Sequence, residues 1–232
     1  MKYVFGVDIG GTTVKIGLFD VEGNVLDKWE IPTRTENDGE KILPDVADSI
    51  REKMKQMDKD AIAGVGVGAP GPIDAGGVVH RAVNLGWKTF NVKETLEALI
   101  NLPVRAGNDA NVAALGEMWM GGGKGYKDLV VVTLGTGVGG GIIVDGRMIS
   151  GSTGAAGEIG HIHVDDTETD ICNCGNKGCL EQFASATGIT RLANKKLAST
   201  DMDSVLRGGE VSAKTVFDAV KALSLIHISE PT

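Results

Sequence analysis

Tyr3 to Ile31 reads Y-V-F-G-V-D-I-G-G-T-T-V-K-I-G-L-F-D-V-E-G-N-V-L-D-K-W-E-I. The run from Tyr3 to Ile9 is apolar and β-branched, as a buried strand is, and D-I-G-G-T-T turns it into a second strand from Val14 to Phe19. Glu22-Gly23-Asn24 turns the chain again, into a third strand from Val25 to Ile31. Leu129 to Ile149 repeats this plan: L-V-V-V-T-L, then G-T-G-V-G-G-G, then I-I-V, an Asp145-Gly146 turn, and R-M-I. A repeated supersecondary unit implies two related lobes; two unrelated hairpins are the plainer alternative. Gly135, Gly137 and Gly140 also satisfy G-x-G-x-x-G, but that fingerprint needs a helix to follow, and Ile142-Ile143-Val144 before a turn reads as strand. No G-K-[ST] follows either glycine run. What remains is a pair of glycine hairpins whose backbone N–H groups can hold phosphate oxygens from opposite sides.

A second stretch carries different chemistry. Gly154 to Val164 is G-A-A-G-E-I-G-H-I-H-V, and Cys172 to Gln182 is C-N-C-G-N-K-G-C-L-E-Q. All three cysteines, Cys172, Cys174 and Cys179, fall here at C-x-C-x4-C spacing. Thiolates this close, with glycines to wrap the backbone, suit a tetrahedral structural Zn2+ with His161 or His163 as fourth ligand. A disulfide with a spare thiol is the alternative, which an odd count fits poorly. Glu158 and Glu181 lie at the two ends of the stretch. If the metal draws those ends together, both carboxylates can accept hydrogen bonds from vicinal hydroxyls.

A chain of 232 residues allows one large domain or two small ones, and 42% hydrophobic residues suffice for a core. A formal charge of −8 argues against a nucleic-acid surface. Neither a signal peptide nor an apolar run of spanning length is visible. Clustered reduced cysteines fit the cytoplasm.

Between the two hairpin units, Ile42, Leu43, Val46, Ile50, Met54 and Met57 recur at helical spacing and form a core face. Ile62 to Ala69 is a strand stopped by Pro70-Gly71-Pro72. The loop through Asn84-Leu85-Gly86-Trp87 reads as irregular. Asn91 opens a helix with Glu94 in capping-box position, and Pro103 to Ala106 is a short strand. Asn108-Asp109 then sits where a strand ends and a helix begins. Such a pair is ordinarily an N-cap; alternatively Asp109 accepts the proton of an attacking hydroxyl. A helix N-terminus favours the carboxylate, so Asp109 is expected to be ionised and only weakly basic. Gly121 to Gly125 marks a hinge. Helices are expected over Phe183 to Leu197, Met202 to Leu206, and Val211 to Ala222, the last with Val216, Ala219, Val220 and Leu223 on one face.

G-E-I-G-H followed by C-N-C-G-N-K-G-C-L-E resembles the signature of the ROK family of sugar kinases and repressors. N-D-A-N-V-A-A-L-G-E resembles that family's catalytic segment, and the likeness runs from about Tyr3 to about Ala222. It implies an α/β, actin/hexokinase-like (ribonuclease H-like), two-lobed ATPase fold, with an N-terminal lobe over 1–120 and a C-terminal lobe over 121–222. It also implies ATP-dependent phosphorylation of the 6-hydroxyl of glucose, with N-acetylmannosamine or fructose as alternative sugars. By resemblance Asp109 is catalytic, and Asn84, Asn108, Asp109, Glu158, His161 and Glu181 hold the sugar. Asp8 lies near Mg2+, while Gly10, Gly11, Thr12, Thr136 and Gly137 contact ATP phosphates, with Lys15 beside them. His161, Cys172, Cys174 and Cys179 hold Zn2+, the second ring nitrogen of His161 turning toward a sugar hydroxyl. The partners implied are glucose and ATP, no nucleic acid, no membrane, and a second copy in a homodimer.

Repressors of the family carry a helix-turn-helix before the first hairpin, and two residues precede Tyr3, so a repressor is not expected. The family pattern continues beyond Ala222 with strands and an adenosine loop, whereas this chain ends L-S-L-I-H-I-S-E-P-T. Residues 223–232 are therefore expected to be a non-native tail, the second lobe incomplete, and the chain as it stands inactive.

Overall fold

The computed structural model describes residues 2–228, with side chains for residues 2–222. Strands β1 (Tyr3–Ile9), β2 (Thr13–Asp20) and β3 (Val25–Pro32) form an antiparallel meander. Strands β4 (Ile62–Ala69) and β7 (Val104–Asn108) then extend it in parallel with β1, giving the order β3-β2-β1-β4-β7. Alternation along β1 buries Phe5, Val7 and Ile9, and β2 buries Val14, Ile16 and Leu18, as side chains on one face of a pleated strand must.

A short turn α1 (Glu36–Gly39), with Asn37 and Asp38 in the left-handed region at φ 53° and 59°, leads into α2 (Ile42–Met54). Ile42, Leu43, Val46, Ala47, Ile50 and Met54 of α2 are buried in the same core as Leu96 and Ile100 of α3 (Val92–Ile100). Asn91 caps α3 by accepting the Glu94 N–H at 3.0 Å. The loop before α3 is more regular than its sequence indicates: β5 (Val78–Val79) pairs with β6 (Phe90–Asn91). Helix α4 (Asp109–Met120) follows β7 directly.

Strands β8 (Leu129–Leu134), β9 (Val138–Val144) and β10 (Arg147–Met148) make a second sheet in the order β10-β9-β8. At its β8 edge Val130, Val132 and Leu134 are 60%, 49% and 66% exposed. The chain divides into two compact units, Met1–Val131 with Gly141–Gly157, and Val132–Gly140 with Glu158–Thr232. The first unit thus extends past residues 121–125 and takes in the return strand β10.

The second unit contains a 3-10 turn at Ile159–His161, then α5 (Glu181–Ala184), α6 (Ala186–Ala198), a 3-10 turn at Val205–Gly208 and α7 (Ala213–Ile228). The single helix expected over Phe183 to Leu197 breaks at Ser185, which is extended (φ −76°, ψ 161°) and caps α6 by accepting the Gly188 N–H at 2.9 Å. The helix expected over Met202 to Leu206 is only the later 3-10 turn, which Ser204 caps. On α7, Val216 and Ala219 are half-buried but Val220 is exposed, so the expected face is narrower than its spacing. Leu223 lies outside the described side chains, as does the tail 223–232, whose last four residues are outside the described residues altogether. Among the described residues no helix is long and apolar enough to cross a membrane.

Candidate active site and metal centre

In the first unit, β1, β4 and β7 run parallel and end on one side, where open α/β sheets bind ligands. Asp8 pairs in register with Gly68, and Gly68 with Gly107. Two strand spacings of about 4.8 Å separate Asp8 from the β7 backbone by roughly 10 Å. Gly68 and Gly107 put no side chain in that interval, and a Cβ on Gly68 would lie 3.6 Å from the Asp109 Cα.

Asn108 is the cap of α4: its Oδ1 accepts the Asn111 N–H at 3.1 Å, and its Nδ2 donates to the Gly71 carbonyl at 3.1 Å. Asp109 is the first residue inside the helix, where its Oδ1 accepts the Ala110 N–H at 2.8 Å. The two roles that the sequence left open for the pair are thus divided between neighbours. Asp109 is exposed as a residue, yet its carboxyl is pushed above the usual aspartate range. The main cause is loss of hydration to surrounding atoms, the negative charge of Asp8 adds to it, and the Ala110 N–H pulls the other way. This corrects the expectation of a weakly basic carboxylate: desolvation outweighs the helix N-terminus. The Asp8 carboxylate has no hydrogen-bond or ion-pair partner among the described residues. The Asp8 and Asp109 carboxyls lie close enough to repel one another, and such a pair of acids is the kind of donor set that a hydrated divalent cation fits.

The turn from β1 to β2 is closed by Gly10 N–H to Thr13 O at 3.0 Å, and Thr33 reaches its carbonyls. No acceptor among the described residues lies within reach of the N–H of Gly11 or Thr12. Asn84, exposed on the 3-10 turn Val83–Leu85, lies over this turn: a Cβ on Gly11 would come 3.9 Å from the Asn84 Cβ. Lys15 pairs across the hairpin with Asp8 and is exposed. Asn111, unassigned from the sequence, is buried with an Oδ1 that finds no donor. Its signal was the second asparagine of N-D-A-N.

In the second unit, the turn Gly135–Val138 packs onto the end of the cysteine loop. The Glu181 Oε2 accepts the Val138 N–H at 3.0 Å, and a Cβ on Gly137 would come within 2.4 Å of that oxygen. Gly160 is needed for a similar reason, because a Cβ there would lie 2.2 Å from the Val138 carbonyl oxygen. The N–H groups of Thr136 and Gly137 have no acceptor among the described residues.

His161, Cys172, Cys174 and Cys179 bring one ligand atom each to within 4.8 Å of one another. The Cys174 and Cys179 sulfurs are 3.6 Å apart, and the Cys172 sulfur is 3.7 Å from His161 Nδ1. Tetrahedral zinc, with bonds of about 2.3 Å to sulfur and about 2.0 Å to nitrogen, spaces its ligands by roughly 3.5–3.8 Å. A disulfide requires about 2.05 Å, and all three cysteines are free. Burial, with the Cys174 and Cys172 sulfurs adding, pushes the Cys179 thiol up to about 12.

His161 and His163 are separated by backbone geometry. The 3-10 turn at Ile159–His161 swings His161 into the sulfurs, its Nε2 lying 3.9 Å from Glu158 Oε2. His163 instead bonds the Lys177 carbonyl at 2.9 Å and Asp166 at 2.8 Å, outside the cluster. His163 is therefore not one of the four clustered residues. Gln182, which sequence reasoning passed over, pins the loop by accepting the Cys179 N–H at 3.1 Å and donating to the Asp170 carbonyl at 3.0 Å. Arg191 holds Glu168 at 2.7 Å, also binds Asp170, and donates to the Gln182 carbonyl at 3.0 Å.

The ROK family model matches residues 4–226. A glucokinase of Halalkalibacterium halodurans is 43% identical across 98% of this chain and 71% of its own length. An N-acetylmannosamine kinase of Escherichia coli is 33% identical across 97% of this chain and 74% of its own. The crystal structure of a ROK family glucokinase from Streptomyces griseus in complex with glucose and AMPPNP matches at a TM-score of 0.77 and 34% identity, over 95% of this chain and 71% of that one. The α/β, actin-like fold expected from the sequence is the fold of this match. Because the match runs through both glycine hairpins, the N-D-A-N segment and the whole cysteine loop, the chain belongs to the ROK family.

Proposed function

We propose that this chain carries the sugar- and phosphate-binding parts of an ATP-dependent glucokinase, forming glucose 6-phosphate and ADP. The observation that carries the reading is Asp109: a carboxylate freed from capping by Asn108 and made more basic by desolvation. It is the group that accepts the proton of the 6-hydroxyl as that oxygen bonds to the γ-phosphorus and the bond to the β-phosphate oxygen breaks. Asn84 and Asn108 hold sugar hydroxyls on the first unit, and Glu158, His161 and Glu181 do so on the second. The free N–H groups of Gly11, Thr12, Thr136 and Gly137 receive phosphate oxygens, with Gly10 forming its turn and Lys15 adding charge. Asp8 would face Mg2+, which when bound neutralises phosphate charge. Zn2+ on His161, Cys172, Cys174 and Cys179 would be structural, with four protein ligands and no open position.

The 43% identity to a glucokinase supports glucose as the sugar. The N-acetylmannosamine kinase at 33% identity supports the second reading, a kinase for another hexose. Measured ADP release with glucose, N-acetylmannosamine and fructose separates them. A kcat/KM for either of the others above that for glucose would overturn the glucose assignment. Failure of the chain to bind any of the three sugars would overturn the reading of it as the sugar-binding part of a kinase, whereas absent turnover alone matches an incomplete second lobe.

A further inference from the structure

The two glycine turns are held by the same device, built from unrelated parts of the chain. On the first, Thr33 Oγ1 donates to the Gly10 carbonyl at 2.7 Å, and Thr33 N–H donates to the Thr12 carbonyl at 2.9 Å. On the second, Thr187 Oγ1 donates to the Thr136 carbonyl at 2.7 Å, and Ala186 N–H donates to the Gly135 carbonyl at 2.9 Å. In each case one threonine hydroxyl and one backbone amide take two turn carbonyls. Thr33 follows the end of a strand, whereas Thr187 is the second residue of a helix. The hairpin repeat does not explain the match, since the two threonines occupy different places in it.

We propose that Thr33 and Thr187 are positioning residues that strap the two turns so that their unpaired N–H groups meet phosphate oxygens; this rests on the reading of the turns as phosphate sites. A peptide turn presents carbonyl oxygens as readily as N–H groups, and a carbonyl oriented toward an anion repels it. Tying the carbonyls back into the protein leaves the amide edge as the polar surface and fixes it before ligand arrives, which lowers the ordering cost of binding. Simple satisfaction of a buried carbonyl is not the reason at Thr187, because that hydrogen bond is solvent-exposed and water could serve there. Threonine is well suited to the task, since its branched β-carbon restricts the rotamer that carries the hydroxyl.

The test uses the 232-residue chain with Thr33→Val and Thr187→Val, which keep the side-chain shape and remove the donor, and with Thr33→Ser and Thr187→Ser, which restore the donor. Calorimetric titration with AMPPNP in Mg2+, and separately with glucose, is paired with amide hydrogen exchange over residues 10–12 and 135–138. Each valine variant should bind AMPPNP about 3- to 10-fold more weakly, the worth of one hydrogen bond, with glucose affinity within about twofold of wild type. Both serine variants should recover AMPPNP affinity, and exchange at the turns should quicken in the valine variants alone. Valine variants that bind AMPPNP like wild type, or that lose AMPPNP and glucose in parallel, would overturn the proposal. If the wild-type chain binds neither ligand, the kinase reading falls and exchange alone decides the straps. Quicker turn exchange with valine but not serine then supports them, and unchanged exchange overturns them.

Discussion

Asp109→Asn should remove turnover and leave the fold standing, while Asn108→Ala, one residue away, should weaken the fold. The two effects separate because the cap belongs to Asn108. In Asp109→Asn the new amide oxygen can still accept the Ala110 N–H that the carboxylate accepts at 2.8 Å, and Asn108 still caps α4. The carboxyl of Asp109 is raised in the folded chain by desolvation, then by Asp8. A raised carboxyl contributes stability that is present below the unfolded aspartate value and is lost as pH rises through the folded value. At pH 7–8 the neutral asparagine therefore escapes a destabilisation that Asp109 bears, and the variant should melt no lower than wild type. Below about pH 3.9, the ordinary aspartate value, the difference should vanish.

Loss of a positioned base lowers turnover by about 10²–10⁴-fold, or about 3–5 kcal/mol of barrier. Asn108→Ala instead loses a cap, about 1 kcal/mol, and the bond to the Gly71 carbonyl, about 1 kcal/mol more. A sum of about 2 kcal/mol lowers Tm by roughly 4–8 °C in a chain of this size. Circular dichroism melts from pH 3 to 8 and an ADP-release assay read both variants. If Asp109→Asn keeps near-full turnover, or loses it together with a drop in Tm as large as that of Asn108→Ala, Asp109 is only a structural residue.

Cys174→Ser should cut bound zinc from one per chain to near zero, measured by elemental analysis after chelator washing; a variant that keeps a full equivalent would remove Cys174 from the ligand set. Gly137→Ala puts a Cβ against Glu181 Oε2 at 2.4 Å and should cost about 1–3 kcal/mol as an overpacked contact. Adding Glu181→Ala should relieve most of that cost in denaturant melts, and additivity of the two would show that they do not touch. Hydrogen bonds from Arg191, then from the Asp170 N–H and Lys195, hold the Glu168 carboxyl down at about 2 instead of the ordinary 4.5. The stability this depressed carboxyl contributes is present above about pH 4.5 and is lost as pH falls through 2. Arg191→Met should therefore move acid unfolding of the cysteine loop to higher pH, followed by loss of the metal, and an unchanged acid profile would sink the assignment.

The features that could be read in the chain are those that local pattern determines. Alternating apolar residues on either side of D-I-G-G-T-T give paired strands, and C-x-C-x4-C brings three sulfurs together whatever surrounds them. His161 could not be chosen over His163, because strand alternation puts residues two apart on the same face, and only the 3-10 turn at Ile159–His161 removes that equivalence. The pKa direction of Asp109 was unreadable for a related reason. The helix dipole is a local property that sequence reveals, whereas the loss of hydration and the charge of Asp8 both arise only from tertiary packing. The break at Ser185 is not visible in the sequence because its hydroxyl caps α6 in the midst of a helical pattern. Thr33 and Thr187 were invisible, since each hydroxyl meets a carbonyl far away in sequence.

The β8 edge described above has a practical side. Val130, Val132 and Leu134 project into solvent from a strand at the rim of its sheet. An apolar rim strand is a template for pairing with a strand from another molecule, and its V-V-V-T-L core, without proline or charge, is of the kind that stacks into fibrils. Lys127 and Asp128 stand at its entrance, the type of charged gatekeeper that slows such pairing. Concentrated solutions of this chain will thus be governed at long times by colloidal behaviour, with salt that screens those two charges shortening its shelf life.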